Sequence, residues 1–286
     1  MATKAIVDAD PICYAIAFAS QDYAVADEDG NVCNVYDSMR DAKEAAVYDG
    51  DHILPYPHDI DVVTDRVDDF MFNLRDALNA GEMVSFLTPT GIENNFRRKI
   101  NAEYKANRKD FVKPYHHQNI RDYLADEWGS RLASEGLEAD DELSIVGWDA
   151  YKNDDDSVIL CSIDKDLDTV PGWHYRWPTH NKEGSLYYQH IEDALFAFWS
   201  SALTGDGADN IVGIKGVGPK KSAKILEQCD TDIDYYEVCK DQYIKHFAEK
   251  LGSADAAVQL LHINCQMLYL LMHKDDYWEP PNVSEH

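Results

Sequence analysis

Short apolar runs alternate with longer helix-like stretches through most of the chain, and no other feature restricts the fold as much. Runs bounded by helices in this way are typical of buried parallel strands. The pattern therefore predicts an α/β fold with a mainly parallel central sheet flanked by helices. The runs are residues 4–7, 83–87, 158–163 and 173–177, and the helix-like stretches are residues 61–80, 119–134, 139–151 and 188–203.

Carboxylates gather where these strands end. Asp8 follows the first run and Asp164 follows the third. In open α/β sheets the ligand site lies beyond the carboxyl ends of the strands, so both residues are expected at that edge. Further acidic residues follow along the chain, namely Glu138, Asp140, Asp141, Asp166, Asp168, Asp206 and Asp209.

Each acidic cluster alone has a simpler interpretation, because carboxylates also cap helices and form turns. Together at one sheet edge they would repel one another unless cations lay between them. Oxygen-only ligands favour Mg²⁺ or Mn²⁺ over zinc, and two such ions are suited to hydrolysing phosphodiester bonds. The acidic residues therefore predict a two-metal site that needs no serine, histidine or cysteine nucleophile.

The net charge of −27 argues at first against a nucleic-acid partner, because affinity for phosphate depends on lysine and arginine. The basic residues are grouped, however. Residues 97–121 hold eight basic residues against two acidic ones, with His116 and His117 expected there to be solvated or to contact phosphate. Solvated helix faces would explain such groups, but their position beside the acidic clusters favours a polyanion surface. The second group is Lys215, Lys220, Lys221 and Lys224.

Other segments are more ordinary. Residues 23–36 predict a surface hairpin, and the chain beyond about residue 195 has helical character, with a glycine-rich turn at 213–218 before Pro219. The six cysteines lack the Cys-x-x-Cys spacing of zinc or redox sites, so reduced and mostly buried thiols are expected. No run is long enough for a membrane helix and the chain starts on a strand, so a cytoplasmic location is expected.

Five motifs, in order along the chain, resemble those of the 5'-nucleases, which include flap endonucleases, phage 5'-3' exonucleases and the 5'-nuclease domains of DNA polymerases. The resemblance implies a PIN-like nuclease domain over residues 1–195, with 89–118 as an arch or clamp, and a helix-hairpin-helix DNA-binding region over 196–286. The motifs are residues 6–8, 104–108 (Tyr-Lys-Ala-Asn-Arg), 136–141 (Gly-Leu-Glu-Ala-Asp-Asp), 164–168 (Asp-Lys-Asp-Leu-Asp), and 205–210 with the glycine turn that follows.

The resemblance also implies residue roles. Lys105 and Arg108 would contact the scissile phosphate, and the glycine turn would bind a duplex phosphate and a K⁺ ion. The two Mg²⁺ or Mn²⁺ ions would be held by Asp8, Glu138, Asp140, Asp141, Asp164, Asp166, Asp206 and Asp209. DNA contacts are expected from Tyr104, stacked on a terminal base, and from Arg97, Arg98, Gly213, Lys215, Gly216, Gly218, Lys220 and Lys221.

The implied activity is metal-dependent hydrolysis of DNA at a 5' end or 5' flap by a monomer, in phage-type replication. RNA–DNA hybrids and RNA primers are left open as substrates. If the protein is phage-encoded, the cytoplasm is that of a host cell. Two departures stand out. Thr88 follows the second strand where the family has aspartate, with Glu93 as a substitute, and Ser201 stands where many relatives have lysine. The alternatives are a PIN-type ribonuclease, which normally lacks the helix-hairpin-helix, and a non-catalytic DNA-binding relative.

Overall fold

The computed structural model describes residues 2–91, 94–109 and 111–281. Strands are interspersed with helices as far as residue 189, and helices dominate the last hundred residues. The first elements are β1 (Thr3–Asp8), α1 (Asp10–Ala19), β2 (Gln21–Ala26), β3 (Val32–Tyr36), α2 (Met39–Ala45), β4 (His52–Pro57), α3 (Ile60–Leu78), β5 (Ala80–Leu87), α4 (Phe96–Ile100), a 3₁₀ helix (Ala106–Arg108), α5 (His117–Asp126) and β6 (Arg131–Leu132). They are followed by α6 (Ala139–Lys152), β7 (Val158–Cys161), a 3₁₀ helix (Lys165–Thr169), β8 (Gly172–Arg176), β9 (Ser185–Gln189), α7 (Ile191–Thr204), β10 (Gly205–Asp206), β11 (Ile211–Val212), α8 (Pro219–Leu226), α9 (Asp232–Leu251) and α10 (Ala254–Leu268).

One six-stranded sheet forms the centre of the molecule, in the order β6-β5-β1-β7-β8-β9. Its strands pair in parallel, and the edge strand β9 runs antiparallel to β8. Ile6 on β1 lies opposite Val84 on β5 and Leu160 on β7. The predicted α/β fold with a mainly parallel sheet is confirmed, and the carboxyl ends of β1, β5 and β7 meet at one edge.

Both faces of this sheet are covered, because successive residues of a strand point to opposite sides. Ala5 and Val7 pack in a core with α1, α3 and α5, whereas Ile6 packs in another core with α6. Burial on two faces explains why Ala5, Ile6 and Val7 are apolar in succession rather than alternating with polar residues. A fully buried Ile or Val side chain contributes roughly 1.5–3 kcal/mol, so this strand anchors the sheet that positions the site.

Two predicted helices have different limits in the structure. The helix expected over 119–134 ends at Asp126, because Gly129 turns the chain with a φ of 65° and leads into β6 beside β5. The helix expected over 188–203 begins only at Ile191, because Tyr188 lies in β9 opposite Trp173. Aromatic residues suit a pleated strand surface, and pairing with β8 therefore overrides the helical pattern.

The predicted hairpin at 23–36 is confirmed and forms part of a three-stranded sheet, β3-β2-β4. Asp27 accepts hydrogen bonds from the backbone N–H groups of Asp29 and Asn31, which shapes the turn as expected. The edge strand β4 was not predicted, because its sequence contains Pro55 and Pro57. Proline cannot donate to a ladder, and an edge strand tolerates it because the N–H groups on its outer side need no ladder partner.

The carboxyl-terminal helices surround a separate core. Trp199 of α7, Tyr243 of α9 and Leu261 of α10 are fully buried together, and Tyr104 joins them from the segment after β5. The predicted boundary between residues 195 and 196 falls inside α7, and the division into two domains stays a prediction. No helix in the described part of the chain is long and apolar enough to span a membrane.

Five of the six cysteines are buried and Cys33, on β3, is exposed; all six are free thiols. Burial raises the pKa of Cys13 to about 12, with Asp10 adding to the effect. The prediction of mostly buried thiols is confirmed, and their reduced state stays a prediction.

Candidate active site

Carboxylates from three strand and helix ends line one open cavity of about 640 Å³ at the carboxyl edge of the sheet. Asp8 lies at the end of β1, and Asp164 lies just beyond β7. Glu138 is the N-cap residue of α6, with Asp140 in its first turn. The acidic lining residues that the sequence singled out are Asp8, Glu138, Asp140, Asp164, Asp166 and Asp209, so the structure brings six of the eight predicted ligands together.

Asp8 is the most confined of these groups. Its carboxylate accepts hydrogen bonds from Ser162 Oγ at 2.9 Å and from the backbone N–H of Asp10 at 3.2 Å. Burial, followed by repulsion from Asp10 and Asp164, nevertheless raises the pKa of Asp8 to about 8. Two hydrogen bonds therefore do not replace the positive charge that this position lacks.

Asp164, Asp166 and Asp206 form a second group around Lys165. The side chain of Asp164 accepts the N–H of Asp166 at 3.0 Å, which fixes the turn after β7. Lys165 Nζ lies 2.9 Å from Asp166 Oδ1 and 2.8 Å from Asp206 Oδ2. Burial acts to raise the pKa of Asp206, but the hydrogen bond and charge of Lys165, together with the N–H groups of Ala208 and Asp209, outweigh it, and the pKa is lowered. Asp206 itself is buried behind the cavity wall rather than lining it.

Lys105 makes a similar bridge between Glu138 and Asp209. Its Nζ contacts Glu138 Oε1 and lies 3.6 Å from Asp209 Oδ2. Arg108 Nη2 lies 2.6 Å from the other oxygen of Asp209. Burial raises the pKa of Asp209, with Lys105 and Arg108 acting in the opposite direction. The two residues predicted to contact the scissile phosphate thus stand directly against predicted metal ligands.

Arg97 does not support the predicted DNA contact. Its side chain is 1% exposed, and its guanidinium donates to both oxygens of Asp141 at 2.7 and 2.8 Å. The remaining donors bond the carbonyl oxygens of Met267 and Tyr269. Asp141 is likewise fully buried, and its carboxylate also accepts the N–H of Glu138. The pair therefore ties α6 to α4 and the end of α10, and Asp141 does not reach the cavity as a ligand.

Tyr104 also differs from expectation, because a stacking platform for a base must be exposed. It is 2% exposed and packs in the core of the carboxyl-terminal helices. Its hydroxyl donates to Glu138 Oε2 at 2.7 Å and lies 3.0 Å from Asp209 Oδ2. Tyr104 thus positions two carboxylates, and stacking on DNA is excluded in this arrangement.

Thr88 occupies the place where the family has a carboxylate, and its role is structural. Its hydroxyl accepts the N–H of Ala139 at 2.9 Å and so caps α6. Its own N–H donates to Asp10 Oδ2 at 3.0 Å, which brings the Asp10 carboxylate to the end of β5 and into the cavity. Asp10 was recognisable as a second carboxylate two residues after Asp8, but acidic residues also occur at the start of a helix, and Asp10 begins α1. Glu93, the one substitute that the sequence predicted, lies outside the described residues.

The donor set fits divalent metal ions. Every acidic lining residue offers hard oxygen atoms, and burial raises the pKa of Asp8, Asp140 and Asp166, which marks missing positive charge. Within residues 2–91, 94–109 and 111–281, however, no three side chains of metal-binding type already converge on one point. Lysines explain this, because Lys105 and Lys165 draw the carboxylates toward their own ammonium groups.

The glycine turn at 213–218 lies away from this cavity, between α7 and α8. Ile214 and Val217 are buried in the helical core and anchor the turn, and Pro219 starts α8. A Cβ on Gly205 would lie 2.2 Å from Gly213 N, so the crossing of β10 and β11 requires both glycines. The side chains of Lys215, Lys220, Lys221 and Lys224 are all exposed around it.

The fold and the site define a class: an α/β protein with an acidic cavity at the carboxyl ends of a mainly parallel sheet and a helical carboxyl-terminal region. No family model matches the chain. Curated relatives include the flap endonuclease Xni of Vibrio vulnificus, 28% identical over 163 residues that cover 52% of this chain and 60% of the relative. The enzyme of the same name from Vibrio parahaemolyticus is 26% identical over 211 residues, covering 68% and 77%. The chain spans about three fifths of the length of the first curated relatives it matches.

Solved structures with a similar fold include proteins of the same kind. A bacteriophage T5 flap endonuclease in a pseudo-enzyme-product complex with DNA and metal ions aligns with a TM-score of 0.57 and 16% identity, covering 94% of this chain and 89% of that one. The T5 D15 protein co-crystallised with metal ions aligns with a TM-score of 0.55 and 17% identity over the same shares. These likenesses show the fold. With the curated relatives, they confirm the predicted resemblance: in sequence and fold this chain is similar to the 5'-nuclease superfamily.

Proposed function

We propose that this chain is a divalent-metal-dependent 5'-nuclease that hydrolyses DNA at a 5' end or 5' flap. The observation that carries the proposal is the single cavity in which buried, mutually repelling carboxylates face Lys105 and Arg108. Names of relatives support it, since several are flap endonucleases and one structural neighbour is a complex with DNA and metal ions.

The carboxylates divide into two groups about the cavity. Asp8, Glu138 and Asp140 would hold one ion, together with Asp10, whose carboxylate accepts the N–H of Thr88, the residue that stands where the family has aspartate. Asp164, Asp166, Asp206 and Asp209 would hold the other. Bound divalent ions supply a water of lowered pKa as the nucleophile and stabilise charge on the leaving oxygen. Asp141, paired with Arg97, would fix the first turn of α6 rather than coordinate an ion.

Lys105 and Arg108 would change partners when metal ions and DNA are present. Both now neutralise Glu138 or Asp209. Once metal ions neutralised these carboxylates, the side chains of Lys105 and Arg108 would be free to contact the phosphate at which charge develops. Lys165, which bridges Asp166 and Asp206, would be released in the same way.

Duplex binding is assigned to the turn at 213–218. The turn offers backbone N–H groups, and beside it stand the exposed side chains of Lys215, Lys220 and Lys221, which suit a phosphate backbone. The turn would be the hairpin of a helix-hairpin-helix motif, which would bind a duplex phosphate and a K⁺ ion. The described residues of the segment 89–118 form one wall of the carboxylate cavity, through Asn94, Lys105 and His117 among others. That location supports a role as a cover over the reacting strand.

The decisive experiment compares cleavage of a 3'-labelled duplex with a 5' flap in Mg²⁺, in Mn²⁺ and in EDTA. Cleavage is expected with either ion and not in EDTA, and an Asp140→Asn variant should be inactive although folded. A substrate whose 5' strand is RNA, annealed to DNA, tests whether hybrids are also cut. Intact substrate in both metals, with folded protein, would refute the proposal.

A non-catalytic DNA-binding relative is the second candidate, favoured by Thr88 and by the lysine bridges that already neutralise four carboxylates. It predicts DNA binding that is indifferent to Mg²⁺ and no products at any time. The same assay therefore separates the two candidates.

A further inference from the structure

One wall of the carboxylate cavity carries basic and aromatic side chains that the proposed chemistry does not use. Lys113 and His117 lie just before and at the start of α5, Arg121 lies one turn further on, and Tyr14 of α1 and Phe111 face them. The cavity thus has an acidic end and a basic end.

His117 is the unusual member of this wall. Its side chain is 3% exposed, yet neither ring nitrogen has a hydrogen-bond partner in the described part of the chain. The ring packs against Tyr14 with centroids 4.4 Å apart, so it is held in one position while lining the cavity. A buried polar ring without partners costs stability, and a ligand in the cavity is the partner that the fold leaves room for.

The surrounding charges favour an anion as that partner. Arg121 is fixed by hydrogen bonds from Nη1 to Asp10 Oδ1 at 2.7 Å and from Nη2 to the carbonyl oxygen of Thr88 at 2.5 Å. Lys113 makes no ion pair with any residue described by the structure. Burial, Lys113 and Arg121 lower the pKa of His117 to about 4, so positive potential reaches the ring.

Exposed aromatic rings stand beside this basic wall. Phe111 is 52% exposed, and its ring lies 5.9 Å from Tyr14 and 6.4 Å from Phe18, which is 43% exposed. Bases stack on such rings whatever their sequence. Phosphate-binding groups next to a stacking surface suit a nucleotide better than a free inorganic anion.

We propose that Lys113, His117 and Arg121 form a phosphate-binding subsite, which holds a phosphate group of the nucleic-acid strand whose neighbouring base stacks on Phe111. The inference rests on the proposed function and deepens it by placing a second phosphate contact beside the metal cavity. The phosphate is either the monoester at a 5' terminus or a diester within the strand.

Binding measured in EDTA, where no cleavage occurs, tests the subsite separately from catalysis. Fluorescence anisotropy would compare two hairpin duplexes with a short 5' single strand, one ending in a 5'-phosphate and the other in a 5'-hydroxyl. The variants are Lys113→Ala, at an exposed position, and His117→Phe, which keeps the packing on Tyr14. Lys250→Ala on α9 is the matched control, and thermal unfolding verifies that each variant is folded.

If the subsite holds a terminal monoester, the wild type should bind the phosphorylated hairpin about tenfold more tightly than the hydroxyl hairpin. The Lys113 and His117 variants should lose this preference, and the Lys250 variant should keep it. If the subsite holds a diester, the wild type should bind the two hairpins equally. Lys113→Ala and His117→Phe should then each weaken the binding of both hairpins to a similar extent. Unchanged affinities for both hairpins in both variants would overturn the subsite. If the wild type did not cleave in Mg²⁺ but its binding still depended on Lys113 and His117, the nuclease proposal alone would be refuted.

Discussion

At the scale of single residues, lysine ammonium groups lie between the carboxylates where metal ions are expected. Lys105 and Lys165 each connect two carboxylates that come from distant parts of the chain. The sequence predicted the carboxylates because each follows a strand or starts a helix. It did not predict that Arg97 would neutralise Asp141, because that pair depends on a tertiary contact between α4 and α6.

The second metal group can be tested at Asp166. Asp166→Asn removes a charge that would hold an ion and leaves the phosphate contacts intact, so cleavage should fall by at least a thousandfold while DNA binding is kept or improved. Single-turnover assays and anisotropy measure the two effects. Asp168→Asn is the matched control on the same 3₁₀ helix, because Asp168 bonds Arg176 and Tyr187 instead of lining the cavity. Normal cleavage by the Asp166 variant would contradict the two-metal assignment.

The Arg97–Asp141 pair should show its role in stability. Arg97→Met leaves the Asp141 carboxylate buried without its partner, and the free energy of unfolding should fall by about 3–5 kcal/mol. The neighbouring Arg98→Met variant should change it by less than about 1 kcal/mol, because Arg98 only bonds the carbonyl of Ala102 near the surface. Urea unfolding followed by circular dichroism compares the two. Equal stabilities would mean that Arg97 is free to serve DNA binding after all.

Lys105 can be separated from an ordinary DNA contact by kinetics. Lys105→Ala should lower the single-turnover rate by about tenfold to a hundredfold, because charge develops on the phosphate that it is proposed to contact. Affinity for the duplex should change by less than about threefold, since most phosphate contacts lie elsewhere. If rate and affinity fell by the same factor, Lys105 would be a general backbone contact.

At the scale of elements, the sequence predicted what depends on local pattern. The strands after which Asp8 and Asp164 lie, the long helix α3 and the start of α6 follow from apolar periodicity. The edge strand β4 and the true end of α5 depend on pairing with distant strands, and no local pattern contains that information. The glycine turn was visible in the sequence, but the close crossing of Gly205 and Gly213 that it requires was not.

The glycine turn and α8 make a prediction about salt. Lys220→Ala and Lys221→Ala should each weaken duplex binding and reduce the slope of log affinity against log salt by about one, because each lysine would neutralise one phosphate. The cleavage rate at saturating DNA should hardly change. Titrations between about 50 and 200 mM salt measure the slope, with Lys250→Ala as a control on another helix. An unchanged slope would remove α8 from the DNA surface.

For the whole molecule, the distribution of charge matters more than its sum. The chain carries a net charge of −27, yet four exposed lysines with no acidic residue among them, Lys215, Lys220, Lys221 and Lys224, stand around the glycine turn. The sequence alone supported this interpretation, because grouping along the chain is visible without a structure. It could not show that part of the other basic group is internal, with Arg97 and Arg121 almost fully buried.

The direction of cleavage along a strand also depends on the whole molecule, because the strand must reach the cavity past the segment 89–118. Cleavage should require an accessible 5' terminus and proceed 5' to 3'. A duplex with a 5' flap, labelled at its 3' end, would carry biotin at the 5' end. Streptavidin added before the enzyme should lower the cleavage rate by at least tenfold, because a strand end that passes beneath a cover must be narrow. Undiminished cutting, or equal cutting of closed circular single strands, would refute this.

The exposure of Cys33 alone among the cysteines has a practical consequence. Thiol-reactive dyes attack thiolates, and the buried thiols are both inaccessible and held protonated, as Cys13 illustrates. The unmodified protein can therefore carry one fluorophore at a defined place on the small sheet. A dye there would follow DNA arrival by energy transfer from a labelled duplex, without first removing any native cysteine.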